Sequence, residues 1–310
     1  MNGSFVGWTR AALLSKIGHV TPAVGEETAV RESLFRPTRD RVLLFAWIVA
    51  LSLIWVQLQA VVLHGGGYDS HTYWMAWRTE QMYDLSPGET GAYLYSPLFA
   101  QVVWPLTLLP WAVFAVLWWL LGAAAIWWMV RPVGWVWGVP IAALALEDLR
   151  IGNLIWLLAL ATALGVRHAT AWVVPAVTKI GPGAGVLWFA GRGDWRSLGR
   201  AAVLGVLLVA ASWALGPDLW AQWLSFLRAN SSWFAMVRIA AAAIVAVWAG
   251  RTARPWLLVI TLLLASPVLG VYTMAVLVCL PRLWSGDTVA RLRVPFGGFR
   301  ATVRRALDLA

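Results

Sequence analysis

A run of 22 residues without a charge, from Val42 to Leu63, limits most strongly what this chain can fold into. As a helix it would span a hydrocarbon core of about 30 Å. Further apolar runs follow, and 61% of all residues are hydrophobic whereas only 12% are charged. A soluble domain carries about 25% charged residues, which this chain lacks. The sequence therefore predicts an all-α, polytopic membrane protein.

Arginines between and beyond the apolar runs indicate the orientation in the membrane. The net charge is +10, and basic residues concentrate near the two ends of the chain. Because positively charged segments stay in the cytoplasm, we predict a cytoplasmic tail at 1–41, a transmembrane domain at 42–281 and a cytoplasmic basic tail at 282–310. These arginines are expected to contact lipid headgroups in the plasma membrane, and nucleic acid is not a predicted partner.

The apolar segments predict about 8–10 transmembrane helices, several of them short or broken by proline. Broken helices at membrane depth usually line a binding site. Charge counting places several polar segments on the outer face of the membrane. These segments are 64–96, 147–153, 178–182 and 217–232, together with a bend at Ser266-Pro267.

The longest outer segment, 64–96, contains the predicted catalytic base. Asp69 follows the first span within six residues. At the lipid boundary, burial can raise the pKa of a carboxyl and make it a general base. A solvated loop acid is the alternative.

Cations between apolar runs are costly unless they meet an anion. We therefore predict that Lys179 binds a phosphate. The alternative is that its side chain extends to the membrane interface. Arg150 either pairs with the neighbouring Glu147 and Asp148 or helps to bind the same phosphate. The histidines show no metal-ligand spacing, the chain has one cysteine, Cys279, and no nucleotide-binding motif occurs. No metal or cofactor is predicted.

Other polar and aromatic residues of the outer segments are predicted to bind substrate, although single aromatic rings more often mark the interface. The predicted residues are His71, Tyr73, Tyr93, Tyr95, Asp148 and Asn153. Capping of the following helix is the ordinary alternative for Asn153.

The order of these segments resembles the GT-C glycosyltransferases. After Asp69 come Y-L-Y-S-P-L-F-A, I-G-N, T-K-I-G-P, W-L-S-F-L-R-A-N-S-S and L-L-L-A-S-P. Within that superfamily the chain is similar to the polyprenyl-phosphate-mannose-dependent mannosyltransferases of glycosyltransferase family 87. Lys179 matches the family's lysine before a proline, here with Ile180 and Gly181 between them. Asn153 falls in the family's Gly-Gln/Asn turn. Where relatives often carry a histidine pair, this chain has Tyr272, which is expected to donate a hydrogen bond to substrate.

The resemblance implies an inverting transfer on the outer face. The sugar, most often mannose, would come from polyprenyl phosphate and pass to an envelope glycolipid or glycan. Asp69 would deprotonate the acceptor hydroxyl, and polyprenyl phosphate would leave. Two alternatives stay open: a GT-C enzyme with another donor such as polyprenyl-phosphate arabinofuranose, or a non-enzymatic membrane protein. The latter would be a lipid-linked-sugar transporter or an inactive relative.

Overall fold

A computed structural model describes residues 39–266, 270–293 and 304 of the chain. Within these residues the regular structure is α-helical or 3-10 helical, without strands. The α-helices are α1 (Arg39–His64), α2 (Tyr68–Met75), α3 (Pro97–Thr107), α4 (Trp111–Val130), α5 (Gly134–Ala143), α6 (Leu146–Ile151), α7 (Ile155–Gly165), α8 (Val173–Thr178), α9 (Leu187–Gly191), α10 (Trp195–Leu215), α11 (Pro217–Asn230), α12 (Trp233–Arg251), α13 (Leu257–Ala265), α14 (Leu280–Leu283) and α15 (Gly286–Leu292). The 3-10 helices span Arg131–Val133, Ala169–Trp172, Gly181–Val186 and Val271–Cys279.

Four segments of the described chain are long and apolar enough to cross a membrane: Arg39–His64, Trp111–Ala143, Trp195–Leu215 and Trp233–Arg251. Shorter apolar helices span Ile155–Gly165, Ala169–Thr178 and Val271–Leu283. Large apolar side chains on the long helices are exposed, for example Val62 on α1 and Leu215 on α10. Lipid is the solvent that tolerates such a surface. The predicted all-α polytopic membrane fold, with short and broken helices, is confirmed.

The chain folds back between α4 and α5. The 3-10 turn Arg131–Val133 and Gly134, whose φ is 73°, separate the two helices. A Cβ on Gly138 would lie 3.5 Å from the Val130 side chain, so α5 returns along the end of α4. The α5–α6 segment then runs in the same direction as α1. Trp47 Nε1 donates to Val136 O over 2.9 Å, and further along Gln57 Nε2 donates to Glu147 Oε2 over 2.5 Å. The ends of α1 and α6 therefore lie together.

Two predicted polar segments contain helices. The segment 64–96, which is predicted to lie outside, holds α2, and this helix carries Asp69 in its first turn. The segment 147–153 was predicted as a polar turn, but most of it is α6, followed by the left-handed Gly152. Glu147 and Arg150 pair within that helix at i, i+3, a spacing that favours helix over turn.

Some predictions fall on parts of the chain that the structure does not describe. These are most of the N-terminal tail, Pro267 in the predicted bend and most of the C-terminal tail. The first half of the bend is described. The helix α13 ends at Ala265, and Ser266 adopts an extended conformation with ψ of 126°.

Candidate active site

The segment 64–96 packs against the α6–α7 turn through two glycines. Gly67 has a left-handed φ of 82° and donates its N–H to Arg150 O over 2.7 Å. A Cβ on Gly66 would lie 2.6 Å from the same oxygen, so only glycine permits this approach. The helix α2 begins directly after these glycines, which brings Asp69 against the start of α7.

Asn153 holds one oxygen of Asp69. Its Nδ2 donates to Asp69 Oδ2 over 2.6 Å, while its Oδ1 accepts the Leu154 N–H over 2.6 Å. The preceding Gly152 is left-handed and packs so closely on Ser70 that a Cβ would overlap the Ser70 hydroxyl. Asp69 Oδ1 has no hydrogen-bond partner among the residues that the structure describes, and the side chain is partly exposed. One oxygen is thus fixed and the other is open.

Asp148 caps helix α7. Its Oδ1 accepts from Ile155 N over 3.2 Å and its Oδ2 from Trp156 N over 3.0 Å. Capping of α7 was the ordinary alternative for Asn153. At the start of this helix its side chain accepts a hydrogen bond only from the adjacent Leu154 N–H, and its amide nitrogen donates to Asp69 instead. The Asp148 carboxyl is completely buried, and burial raises its pKa to about 7, although the two N–H donors lower it.

Lys179 lies directly after α8 in an extended conformation, with a partly exposed side chain. Its Nζ lies 5.0 Å from the centre of the Tyr95 ring. No described carboxylate oxygen is within 4.0 Å of it. Burial lowers the pKa of Lys179, whereas the charges of Asp69 and Asp148 raise it. The ammonium is therefore close to two acids without a direct ion pair to either.

The pKa of Asp69 is raised. Burial is the main cause, and the charge of Lys179 and the hydrogen bond from Asn153 act in the opposite direction. A carboxylate with a raised pKa, one free oxygen and partial exposure is suited to accept a proton from a hydroxyl group.

Three predicted tyrosines lie in the wall behind this site. Tyr73 and Tyr95 are buried with rings 5.1 Å apart, and the Tyr73 hydroxyl donates to the Tyr95 hydroxyl over 3.0 Å. Tyr93 is also buried, and its hydroxyl has no hydrogen-bond partner among described residues. These rings pack in the protein core, and Tyr95 additionally faces Lys179. Substrate binding stays a prediction for all three.

His71 and Tyr272 are more accessible. His71 is exposed on α2, with its ring edge-on to Trp111 at 4.8 Å. Tyr272 is the second residue of the 3-10 helix Val271–Cys279 and is half-buried, within electrostatic range of Asp69 and Asp148. Substrate contacts from either residue remain predictions.

Arg150 is engaged within the protein. Its Nη2 pairs with Glu147 Oε1 at 2.8 Å, its Nε donates to Gln57 Oε1 over 2.7 Å, and its Nη1 donates to Gly65 O over 3.2 Å. Of the two alternatives for Arg150, the structure contains the internal pairing. Gln57 was missed in the sequence, but a glutamine inside a charge-free span is itself a signal, because a buried amide needs partners.

The site thus combines an open carboxylate oxygen with a nearby ammonium. In a single displacement, the first can take the proton of an attacking hydroxyl and the second can stabilise negative charge on a departing phosphate. Within the described residues no group of three histidine, cysteine or acidic side chains is arranged to hold a metal ion.

Comparison with known proteins gives a family. The model of glycosyltransferase family 87 matches residues 93–298, about two thirds of the chain. The matched part includes Asp148, Asn153, Lys179 and Tyr272, whereas Asp69 precedes it. Searches of the curated proteins and of the solved structures found no match.

The family match confirms the predicted glycosyltransferase, and the fold agrees with it. The short helices, the broken helices and the site at the end of α1 are compatible with a GT-C arrangement. The chain belongs to glycosyltransferase family 87.

Proposed function

We propose that this glycosyltransferase moves a sugar, with mannose as the first candidate, from a polyprenyl-phosphate donor to an envelope glycolipid or glycan. The reaction would take place on the outer face of the plasma membrane and invert the anomeric carbon. The observation that carries the proposal is the position of Lys179. This residue lies near the two acids of the site, and it follows by two positions Val177, which lines an apolar groove of the helix bundle.

The groove lies between α8, the following 3-10 helix and α10, and its volume is about 600 Å³. Its lining is entirely apolar and includes Val177, two residues before Lys179. Small residues of α10, among them Ala202 and Gly205, line the other wall. An isoprenoid chain is apolar and flexible, so it suits such a groove, and its phosphate would then lie beside the ammonium.

The proposed reaction uses Asp69 and Lys179. The acceptor hydroxyl attacks the anomeric carbon and passes its proton to Asp69 Oδ1. The new bond forms between the acceptor oxygen and that carbon, while the bond from the carbon to the phosphate oxygen breaks. Polyprenyl phosphate leaves with the electron pair, and the Lys179 charge stabilises it. Proton, bonds and charge balance without a cofactor.

Arg150 has a supporting role in this proposal. Its guanidinium is held by Glu147, Gln57 and Gly65 O. It therefore fixes the glycine segment that carries α2, and three of its five N–H groups are engaged by these partners.

A second pocket is suited to the acceptor. It lies between residues 81–86 and α11 and has a volume of about 690 Å³. Its lining mixes amides, such as Gln222 and Asn230, with the rings of Tyr83 and Phe226. Amides and aromatic faces are the groups that bind sugars. The Tyr83 hydroxyl donates to Tyr95 O over 2.8 Å, which links this pocket to the Lys179 side of the site.

A pair of glycine substitutions tests the donor groove. A Cβ on either Gly199 or Gly205 meets open space, but only Gly205 lines the groove. We expect Gly205→Leu to raise KM at least tenfold for a long-chain donor and little for a short-chain donor. Gly199→Leu should have the same KM as the unaltered protein for both donors. Mannose and arabinofuranose donors are compared in the same assay. Equal activity of both variants on the long-chain donor would contradict the groove assignment.

A further inference from the structure

A large cavity lies at the ends of α4, α7, α12 and α14, away from the candidate active site. Its volume is about 1040 Å³. Four side chains in its lining are basic: Arg167, His168, Arg254 and Arg282. No aspartate or glutamate is among the described residues that line it. The glycosyltransfer reaction proposed above makes no use of this cavity.

Three elements connect the active site with this cavity from end to end. The helix α4 runs from Trp111, beside His71, to Trp128 in the cavity wall. The helix α7 runs from the Asn153 turn towards Arg167, and the 3-10 helix from Tyr272 leads to Arg282. Helices of these lengths separate the two places by about 20–30 Å. The cavity therefore lies at the opposite end of the bundle, at the depth of the other membrane surface.

Among the residues that the structure describes, no acidic side chain forms an ion pair with the arginines of this cavity. Arg282 lies with its guanidinium 3.9 Å from the centre of the Trp128 ring, and its Nε donates to Trp128 O over 3.0 Å. Both partners are uncharged. Arg131 and Arg167 are close enough to repel Arg282 electrostatically. A cluster of like charges in a concave site without a carboxylate favours an anion.

A strained turn places Arg254 at this cavity. Ala253, which also lines it, has a left-handed φ of 51°, a conformation that usually requires glycine. The turn is fixed by Arg254 N–H, which donates to Ala249 O over 3.0 Å. Strain of this kind persists where the surrounding structure holds it and is frequent at binding sites.

We propose that this cavity is a second ligand site, which binds a phosphate group through Arg167, Arg254 and Arg282. Two sources offer the same chemistry: the headgroup of an anionic phospholipid and free phosphate. The lining contains three tryptophans, Trp128, Trp256 and Trp284. Tryptophan is typical of a membrane interface, and this location favours the headgroup as the ligand.

The test measures the melting temperature of the full-length protein in phosphatidylcholine nanodiscs. One titration adds phosphatidylglycerol at constant lipid area, and the other adds inorganic phosphate at constant ionic strength. Arg254→Gln is compared with Arg251→Gln, which removes the same charge three residues earlier but lines a different cavity. We expect a saturable rise in melting temperature whose half-point moves about fivefold higher in Arg254→Gln only.

Each outcome decides the proposal. A rise with phosphatidylglycerol alone supports a lipid headgroup, and a rise with inorganic phosphate supports a free anion. No saturable rise with either probe would overturn the proposal. Equal shifts of the half-point in Arg254→Gln and Arg251→Gln would also overturn the proposal, because they would show a general attraction of anions to positive charge instead of binding at one site.

Discussion

Asn153 donates a hydrogen bond from its side-chain amide to Asp69 Oδ2 over 2.6 Å, although the two residues are 84 positions apart. The bond joins the helix after the first span to the turn before α7. It fixes one oxygen of the predicted base, and the other oxygen has no hydrogen-bond partner among the described residues. Because the hydrogen bond stabilises the charged carboxylate, it also influences the pH at which Asp69 can act.

Asn153→Ala should move the acid limb of the pH–rate profile to higher pH. Burial raises the pKa of Asp69 and the Asn153 bond lowers it, so loss of the bond raises the pKa further. The base works deprotonated, and activity near neutral pH therefore falls while activity at higher pH recovers. The profile of initial rates against pH measures this. A uniform loss at every pH would show that Asn153 is only structural.

Lys179→Met should lower kcat by about 10²–10³, the usual effect of removing a preorganised group that stabilises developing charge. Lys179→Arg should restore part of the rate. The acid limb should also move to higher pH in Lys179→Met, because the lysine charge lowers the pKa of Asp69. Steady-state kinetics of the two variants across pH provide the measurement. An unchanged kcat in Lys179→Met would refute the role at the leaving phosphate.

Gln57→Leu should destabilise the protein by about 1–3 kcal/mol, the cost of buried polar groups that lose a partner. Gln57 accepts a hydrogen bond from Arg150 Nε and donates one to Glu147 Oε2, whereas a leucine side chain can neither donate nor accept. Thermal unfolding in detergent measures the effect. Gln59→Leu is the control, since Gln59 is exposed on the same helix. Equal melting temperatures for the two variants would contradict the stabilising role of the Gln57 network.

Ala253→Gly should stabilise the protein by about 0.5–1 kcal/mol. Glycine removes the left-handed strain, which costs about 1–2 kcal/mol, but adds entropy to the unfolded chain. Ala240→Gly, on the exposed side of α12, should instead lower stability by about 0.5–1 kcal/mol. Melting temperatures of the two variants are compared. A decrease in both would mean that the Ala253 turn is not strained.

The sequence was sufficient to predict the all-α membrane fold, because charge-free runs such as Val42–Leu63 allow little else, but helix α6 was predicted as a turn. It also singled out Asp69, Asn153 and Lys179, which the structure brings together. The sequence singled out these three residues because they are polar and their neighbours along the chain are apolar. Each of them interrupts or borders an apolar run, where a polar group needs a partner.

Partner choice within the site could not be read from the sequence. Asp148 caps α7, whereas the side chain of Asn153 donates to Asp69. This arrangement depends on the left-handed Gly152 and its close contact with Ser70. Burial of Tyr73 and Tyr95 depends on packing between segments distant in sequence. The basic cavity also escaped prediction. Its three arginines lie at the ends of three separate elements, where the sequence cannot distinguish them from arginines that set the membrane topology.

The most direct measurement is transfer of labelled mannose from polyprenyl phosphate by the purified protein and by Asp69→Asn. Asparagine keeps the size of the side chain but cannot accept the proton of the acceptor. The exposed Glu80, in the same outer segment, supplies the control Glu80→Gln. We predict a loss of at least about 10²-fold in kcat for Asp69→Asn and normal transfer for Glu80→Gln. Full transfer by Asp69→Asn would contradict the assignment of Asp69 as the base.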